Sequence, residues 1–333
     1  MPVNNITGSP VEGDDFFGRE NELSYAWDHI RKGNSFLLAA PRRVGKSSFA
    51  KKLIAIAKSD GWHTLELNLE EVKTEEEFIR LFVKKLYAES WWHRIKDKSG
   101  EGVKKILESL NLTTTTEGTT VALKFQFDNP EINHKLTKLL DHHENTLIMV
   151  DELTILLYLL VERDPEKGIQ KAQDVLNWLR SIRQVTGTKI RWVFCSSVGI
   201  ENFCNQYNLS YTTNDLSPLE LAAFSENQSQ RFIQALASAE SIQLENDQVE
   251  HMLRKLGWLL PYFIQILFFE LHKLHVIHDC ELSIETIDEA YLKLTSEKHL
   301  NTWEERLSAY GDLERSAKVI LTSLCSCSEG ESR

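Results

Sequence analysis

Long apolar runs are missing from this sequence. No stretch approaches the roughly 18 consecutive apolar residues that a membrane-spanning helix needs, and the longest apolar runs, LTILLYLLV and LLPYFIQILFF, have the length of buried helices. The first residues, MPVNNITGSPVEGDDFFGRE, also lack the charged region and the apolar core of a secretory signal peptide. We therefore expect a protein with no membrane span and no export signal.

Cysteines are few, and basic residues are outnumbered by acidic ones. The five cysteines (Cys195, Cys204, Cys280, Cys325 and Cys327) show no regular spacing, which disfavours a disulfide scaffold and indicates a reduced, cytoplasmic protein. Lysine and arginine number 38 against 49 aspartates and glutamates, so the formal net charge is -11. Such an acidic chain is not built for broad contact with nucleic-acid phosphates, although a local basic patch is compatible with it.

The sequence does contain a regular alternation of strand and helix patterns. Five short apolar runs are typical of buried strands: SFLLAA, HTLELNL, TLIMVDEL, KIRWVFCSS and a fifth within YTTNDLSPLEL. Amphipathic helical stretches separate them, which predicts an α/β fold with a five-stranded parallel sheet flanked by helices. From about Ser217 helix follows helix, so the sequence predicts a second, all-helical domain.

A chain of 333 residues is long enough for two domains. We expect a flexible N-terminal tail over residues 1–14, the α/β core over 15–216 and the helical domain over 217–308. A threonine-rich stretch at about 111–130, part of which alternates apolar and polar residues, predicts a hairpin-like insertion in the core.

The stretch SFLLAAPRRVGKSSFAKKL, residues 35–53, has the order of a phosphate-binding loop. Ala40, four further residues and then Gly45-Lys46-Ser47 fit the Walker A spacing, with Ala40 in the place of the first glycine. A turn between a buried strand and a helix supplies backbone N–H groups and the positive end of the helix dipole. The predicted nucleotide-binding residues are Ala40, Pro41, Arg42, Arg43, Val44, Gly45, Lys46, Ser47 and Ser48.

Each side chain of this loop has a predicted role. Lys46 would reach the β- and γ-phosphates, the Ser47 hydroxyl would bind Mg²⁺, and Ser48 would contact the α-phosphate. Arg42 and Arg43 either help to hold phosphate or are simply solvated. The alternative for the whole motif is a chance strand–turn–helix that carries a lysine.

TLIMVDEL supplies the partner that a Mg²⁺ site requires. Four apolar residues bury the strand, and Asp151 and Glu152 emerge at its end, as in a Walker B motif. Asp151 would hold Mg²⁺, mostly through water, and Glu152 would polarise the attacking water. The alternative for Asp151 alone is a helix cap at the end of a strand.

With these two motifs the chain resembles P-loop ATPases of the STAND and AAA+ group, and in particular the archaeal-type ATPases found in archaea and bacteria. The stretch FFGRENEL resembles the Gly-Arg-Glu box of that group. This resemblance implies that Phe17, Gly18 and Arg19 lie near the adenine. It also implies ATP and Mg²⁺ as the cofactors, a P-loop core and a helical lid.

Further stretches resemble the same family. RWVFCSSVGIENF is similar to its fourth strand, which implies that Ser196 or Ser197 takes the sensor 1 position, with Ser197 as the catalytic candidate. LGWLLPYFIQIL resembles the Gly-x-Pro segment of the lid, which implies that Pro261 approaches the base, although two extra residues separate it from Gly257. Residues 309–333 resemble the start of a truncated winged helix.

The position of arginines bears on the class of ATPase. Ring-forming AAA+ ATPases carry an arginine finger before the fifth strand, but ENFCNQYNLSYTTN contains no arginine. Arg180 and Arg183 lie one element earlier, where they either form salt bridges on a helix face or act as the finger. This pattern favours a STAND-like switch, in which the state of the nucleotide biases the arrangement of core and lid.

We therefore expect an ATP-binding, Mg²⁺-dependent NTPase of slow turnover that acts as a regulatory switch on an unknown protein partner. Bacterial signalling or defence against phage is the setting that family analogy implies, and a nucleotide-dependent oligomer is compatible with it. The alternatives are a DNA-binding ATPase of the origin-recognition type and a non-catalytic nucleotide-binding scaffold. A zinc site at His272, His275, His278 and Cys280 is disfavoured, because three-residue spacing drifts off one helix face.

Overall fold

The computed structural model describes residues 2–89, 137, 140, 144–185, 187–196, 199–296 and 314–326. The predicted insertion at 111–130 and the sensor candidate Ser197 lie outside these residues. The chain divides into two compact units, the first of which is the core Gly8–Phe224. The second, called here the helical unit, contains residues 2–7 and the described residues from Ser225 onward.

A five-stranded parallel sheet forms the centre of the core, as the sequence predicts. Its strands are β1 Phe36–Ala39, β2 His63–Asn68, β3 Thr146–Asp151, β4 Ile190–Ser196 and β5 Ser217–Glu220. Their order across the sheet is β2-β3-β4-β1-β5, and every neighbouring pair is parallel. Because parallel strands all end at the same edge, the residues that follow β1, β3 and β4 are brought together there.

Helices flank this sheet. They are α1 Glu20–Lys32, α2 Lys46–Ser59, α3 Glu75–Ala88, α4 Leu153–Arg163, α5 Gly168–Arg183 and α6 Ile200–Gln206. Their apolar faces cover the strands, and the first five residues of β3 are all buried. A sheet covered on both faces needs continuous apolar strands, which is why these strands were recognisable in the sequence.

An aromatic cluster attaches α3 and α5 to β4. The rings of Phe82 and Trp178 meet edge to face with centroids 5.7 Å apart, and Trp192 stacks on Phe82 at 6.5 Å and on Phe194 at 5.7 Å. Burial of each large side chain stabilises the fold by about 1.5–3 kcal/mol. The cluster fixes β4, whose last residue lies at the edge of the sheet where the site is formed.

Strand β5 forms one edge of the sheet. The Ser217 N–H donates to the Ser35 carbonyl at 2.9 Å, and Leu219 lies beside Leu38 of β1. Between them Pro218 is exposed. Because β5 is paired into the sheet, the core includes this strand and ends after Phe224. The boundary predicted from the sequence is residue 216.

The helical unit contains five described helices. They are α7 Glu226–Ala239, α8 Asn246–Leu256, α9 Pro261–His278, α10 Ile284–Ser296 and α11 Glu314–Ser326. Ser225 begins α7 with a capping box, since its side chain accepts from the Gln228 N–H while the Gln228 side chain accepts from the Ser225 N–H. Helix α11 lies within the predicted C-terminal region, and its assignment to a winged helix stays a prediction.

Residues 2–7 are packed rather than free. Val3 is 3% exposed, and its N–H donates to the Ala235 carbonyl at 3.3 Å. The Asn5 amide donates to the Gln265 carbonyl at 3.0 Å, and the Gln265 side chain donates to the Ile6 carbonyl at 3.1 Å. Residues 2–7, half of the tail that the sequence predicts to be flexible, therefore contribute one buried apolar side chain and three hydrogen-bonding groups to the helical unit.

No described helix is both long enough and apolar enough to cross a bilayer.

Candidate functional site

The loop between β1 and α2 is sharply wound. Arg43 and Gly45 both have left-handed backbone conformations, with φ of 71° and 95°. At Gly45 nothing lies within 4 Å of the place where a Cβ would stand, so this side of the loop is open. The ladder of α2 begins with the Phe49 N–H donating to the Gly45 carbonyl. The first N–H groups of α2 therefore point into the open space at the loop.

Lys46 lies across its own loop. It is the first residue of α2 and is only 8% exposed. Its ammonium donates to the Ala40 carbonyl at 3.0 Å and to the Pro41 carbonyl at 3.5 Å. Burial lowers the pKa of Lys46, while the charges of Glu152 and Asp151 oppose that shift. The structure therefore brings Lys46 and both predicted Walker B carboxylates into one electrostatic cluster.

The end of β3 places the two carboxylates. The Glu152 N–H donates to Asp151 Oδ1 at 3.0 Å and to the Cys195 carbonyl of the neighbouring strand at 2.9 Å. Glu152 itself has a left-handed backbone, with φ of 58°, and precedes the first turn of α4. Burial, followed by the charge of Glu152, raises the pKa of Asp151 to about 6, and Lys46 acts in the opposite direction. Asp151 is thus a carboxylate whose negative charge lacks sufficient compensation.

The end of β4 carries Ser196. Its hydroxyl donates to Thr154 Oγ1 at 2.8 Å, and both residues are buried. This bond joins the predicted sensor strand to the first turn of α4, directly after Glu152. Nothing in the sequence identifies Thr154 as part of the site, because it lies in an apolar helix, 42 positions away from Ser196 in the sequence.

The Gly-Arg-Glu box lies beside the loop. Arg19 is 4% exposed, and its guanidinium donates to the Val44 carbonyl at 3.4 Å and to the Ala222 carbonyl at 2.6 Å. Gly18 has φ of 77°, and a Cβ there would stand 3.2 Å from the ring of Phe224. Phe17 meets the same ring edge-on at 6.3 Å. The box therefore packs against the loop and the chain after β5, while its predicted contact with adenine stays a prediction.

The segment before the box crosses the start of α2. The Val11 N–H donates to Ser48 Oγ at 3.0 Å, Glu12 forms an ion pair with Lys51, and Lys52 donates to the Gly13 carbonyl at 2.9 Å. A serine hydroxyl that accepts one hydrogen bond retains its own proton to donate. Ser48 therefore keeps the capacity to donate to a phosphate oxygen.

The remaining loop residues differ in exposure. Pro41 is exposed, Ala40, Arg42, Arg43 and Ser47 are half-buried, and Val44 is fully buried. Ala40 contacts Lys46 through its backbone carbonyl, so this hydrogen bond does not depend on the Ala40 side chain. Pro261 is the first residue of α9 in the helical unit, so its approach to the base also stays a prediction.

The arginines of α5 bind protein groups. The Arg183 side chain is 4% exposed and forms a two-pronged ion pair with Asp215, with distances of 2.8 Å and 2.9 Å. The salt-bridge interpretation is confirmed for Arg183. The Arg180 guanidinium instead lies 5.7 Å from the centre of the Tyr211 ring.

Two histidines of α9 have protein partners as well. His275 Nδ1 lies 2.8 Å from the Cys280 carbonyl, and His272 Nε2 lies 3.7 Å from Glu240. Over the ranges that the structure describes, no cluster of histidine, cysteine and carboxylate side chains has the arrangement of a metal site.

Comparison with known proteins gives one kind of match. No family model and no curated protein matches this sequence. Among solved structures, a Walker-type ATPase of Pyrococcus abyssi aligns with a TM-score of 0.59 at 15% identity, covering 94% of this chain and 79% of its own. The ORC2 protein of Aeropyrum pernix, solved in ADPNP and ADP complexes, aligns with a TM-score of 0.54 at 11% identity, covering 91% and 74%.

This chain has the fold of a P-loop ATPase. At these identities the likeness establishes the fold and leaves membership of the STAND group or of the archaeal-type family as a prediction. In a P-loop ATPase fold the loop after β1 and the acidic end of the neighbouring strands lie at one edge of the sheet, which is where Lys46, Asp151 and Glu152 lie here.

The donor set of this P-loop fold suits a Mg²⁺–nucleotide. The hydroxyl of Ser47 and the carboxylate of Asp151 are oxygen ligands of the kind that Mg²⁺ prefers. A divalent cation would also compensate the negative charge of the half-buried Asp151, whose pKa is raised. The wound loop, the start of α2 and the Lys46 ammonium together offer donors and positive charge to phosphate oxygens.

Proposed function

We propose that this protein binds ATP with Mg²⁺, hydrolyses it slowly, and uses the state of the nucleotide as a switch that regulates a protein partner. The observation that carries the proposal is the electrostatic cluster of Lys46, Asp151 and Glu152 beside the open start of α2. A motif that had lost its function would not be expected to retain a buried lysine beside an undercompensated aspartate. Removing either charge from water costs free energy.

The proposed mechanism assigns a role to each group. The loop N–H groups and Lys46 bind the phosphates and neutralise the charge that develops as the bond between the β- and γ-phosphates breaks. Ser47 and Asp151 would hold Mg²⁺, which would supply further neutralisation of the phosphate charge. Glu152 orients a water in line with the γ-phosphate and accepts its proton as the new P–O bond forms, leaving ADP and phosphate.

The switch part of the proposal is supported by the two-unit organisation and by the resemblance to STAND ATPases. The chain passes from one unit to the other after Thr7 and again after Phe224, so both chain connections are sites where a nucleotide could influence the helical unit. An unknown protein effector, with bacterial signalling or phage defence as the setting, is what the resemblance implies.

Two measurements on wild-type protein test the proposal. The first is titration with ATP, ADP and GTP, each in the presence of Mg²⁺ or of EDTA, and the second is a phosphate-release assay. We expect Mg²⁺-dependent ATP binding with slow release of phosphate. Binding without any release would support the scaffold hypothesis, and no affinity for any nucleotide would overturn the proposal.

A salt-dependent gel shift with duplex DNA tests the origin-recognition alternative, which the net charge of -11 disfavours. Light scattering with ATP and with ADP reports a nucleotide-dependent oligomer.

The raised pKa of Asp151 predicts a pH dependence of opposite sign for stability and for Mg²⁺ binding. Its ordinary pKa is 3.8 and its pKa in the folded protein is about 6, so the folded state holds this proton more tightly than the unfolded state does. The stability that this group contributes is therefore fully present below pH 3.8 and is lost as the pH rises through about 6. Mg²⁺ needs the ionised carboxylate, so we expect its affinity to rise over the same interval.

Calorimetric titration of Mg²⁺–ATP at about pH 5.5 and at about pH 7.5 measures this effect. We expect tighter binding and less proton release at the higher pH, and Asp151→Asn should remove the proton release. Equal affinity and no proton release at both values would show that Asp151 is not a Mg²⁺ ligand. Asp174→Asn on α5 is a matched control that removes a carboxylate from the core away from the loop.

A further inference from the structure

Arg19 joins two parts of the core that are far apart in the sequence. Its Nη2 atom donates to the Val44 carbonyl in the phosphate loop and to the Ala222 carbonyl after β5, at 3.4 Å and 2.6 Å. Its Nη1 atom donates to Glu22 at 3.1 Å. The guanidinium also lies over the Phe224 ring, with its central carbon 4.7 Å from the ring centre.

The two backbone partners have different functions in the chain. Val44 immediately precedes Gly45, at the turn of the phosphate loop. Residues 221–224, called here the exit segment, are the last residues of the core, and Ser225 caps the first helix of the helical unit. One guanidinium thus contacts the loop proposed to bind nucleotide and the segment through which the chain leaves the core.

This contact is built from groups that have little freedom to move. The guanidinium is planar and holds its N–H donors in a fixed fork, so a shift of one carbonyl changes the geometry at the other. Phe224 is further restricted by Gly18, whose missing side chain admits the ring. Arg19 is almost completely buried, and a buried charge keeps its hydrogen bonds because losing one leaves it unsatisfied.

We propose that Arg19 is a positioning residue that couples the phosphate loop to the exit segment, so that nucleotide in the loop determines how firmly residues 221–224 are held. The inference rests on the proposed ATP binding and adds a route by which that binding reaches the connection to the helical unit. When the loop N–H groups bind the phosphates of a nucleotide, the position of Val44 is fixed. The Arg19 guanidinium, held by the Val44 carbonyl, then holds the Ala222 carbonyl and the Phe224 ring.

Hydrogen exchange of the exit segment, measured with and without Mg²⁺–ATP, tests this coupling. In wild-type protein we expect nucleotide to slow exchange of the amides of residues 222–224 by about tenfold or more. Arg19→Lys keeps a positive charge but loses the planar fork and the stacking on Phe224. At a concentration of Mg²⁺–ATP that saturates the variant, we expect Arg19→Lys to show less than about a threefold change in exchange at these amides.

Two further variants separate coupling from folding. Arg31→Lys is the matched control and should behave as wild type. Arg31 is an exposed arginine near the end of α1, the helix that Arg19 precedes, and it is paired with Asp60. Phe224→Leu removes the ring from beneath the guanidinium without touching the loop, and should also weaken the nucleotide-dependent protection. If Arg19→Lys does not fold, as judged by its thermal melt, Phe224→Leu decides the matter with the same measurement.

The outcomes distinguish this inference from the function on which it rests. If wild type binds ATP and the exit segment exchanges at the same rate with and without it, the coupling is wrong and the ATP site stands. If Arg19→Lys or Phe224→Leu retains the full wild-type response, Arg19 is not the coupling residue. If wild type binds no nucleotide, the proposed function is wrong and the coupling falls with it.

Discussion

Lys46→Ala should abolish ATP binding. We expect the affinity for Mg²⁺–ATP to fall by at least about 100-fold, which corresponds to ~2.7 kcal/mol, because the ammonium is the group that would bind two phosphates with charge-assisted hydrogen bonds. The substitution also leaves the Ala40 and Pro41 carbonyls without their donor. It also removes the positive charge that limits the rise in the pKa of Asp151. Asp151 should then hold its proton more tightly, and Mg²⁺ binding should weaken as well.

Equilibrium titration with a fluorescent ATP analogue measures this loss, and circular dichroism confirms that the variant is folded. Lys58→Ala is the matched control, because Lys58 is exposed at the other end of the same helix. We expect it to bind as wild type does. A Lys46→Ala protein that is folded and binds ATP with unchanged affinity would show that the loop after β1 is not the nucleotide site.

Glu152→Gln should separate binding from turnover. We expect binding of Mg²⁺–ATP to stay within about threefold of wild type and hydrolysis to fall by about 100-fold or more, the usual loss when a general base is removed. The backbone contacts of Glu152 to Asp151 and Cys195 do not depend on its side chain, so the geometry of the site should persist. A glutamine can still hold a water by a hydrogen bond, but it cannot take up the proton.

Single-turnover hydrolysis of radiolabelled ATP gives the rate, and the same titration gives the affinity. Glu162→Gln is the control for the loss of one charge, because Glu162 is an exposed glutamate in α4, the helix that Glu152 precedes. Turnover at the wild-type rate in Glu152→Gln would assign the proton transfer to another group. A simultaneous loss of binding would instead show that the Glu152 charge takes part in holding the nucleotide.

The sheet and the loop could be predicted because their signals are local. A strand buried on both faces is a nearly continuous apolar run, as in β1, β3 and β4. All five predicted strands are present in the structure. Gly45, Lys46 and Ser47 are adjacent in sequence, and so are Asp151 and Glu152. The fact that these two groups meet follows from the parallel order of the strands, since all strands end at the same edge.

The contacts that position the site could not be predicted, because they join distant residues without a pattern. The bond from Arg19 to Ala222 spans 203 positions, that from Ser196 to Thr154 spans 42, and that from Val11 to Ser48 spans 37. In two of these bonds one partner is a backbone group, which every residue possesses. Composition and periodicity carry no information about such a partner, and only the folded chain shows it.

The exposed proline of β5 limits how copies of this protein can associate. Because Ser217 and Leu219 direct their N–H groups toward β1, the outward positions of this edge strand belong to Pro218 and Glu220, and Pro218 has no N–H to offer. A strand from a second molecule could not extend the sheet here with a complete set of hydrogen bonds. Copies that meet at this edge would therefore be joined by side-chain contacts and not by a shared sheet.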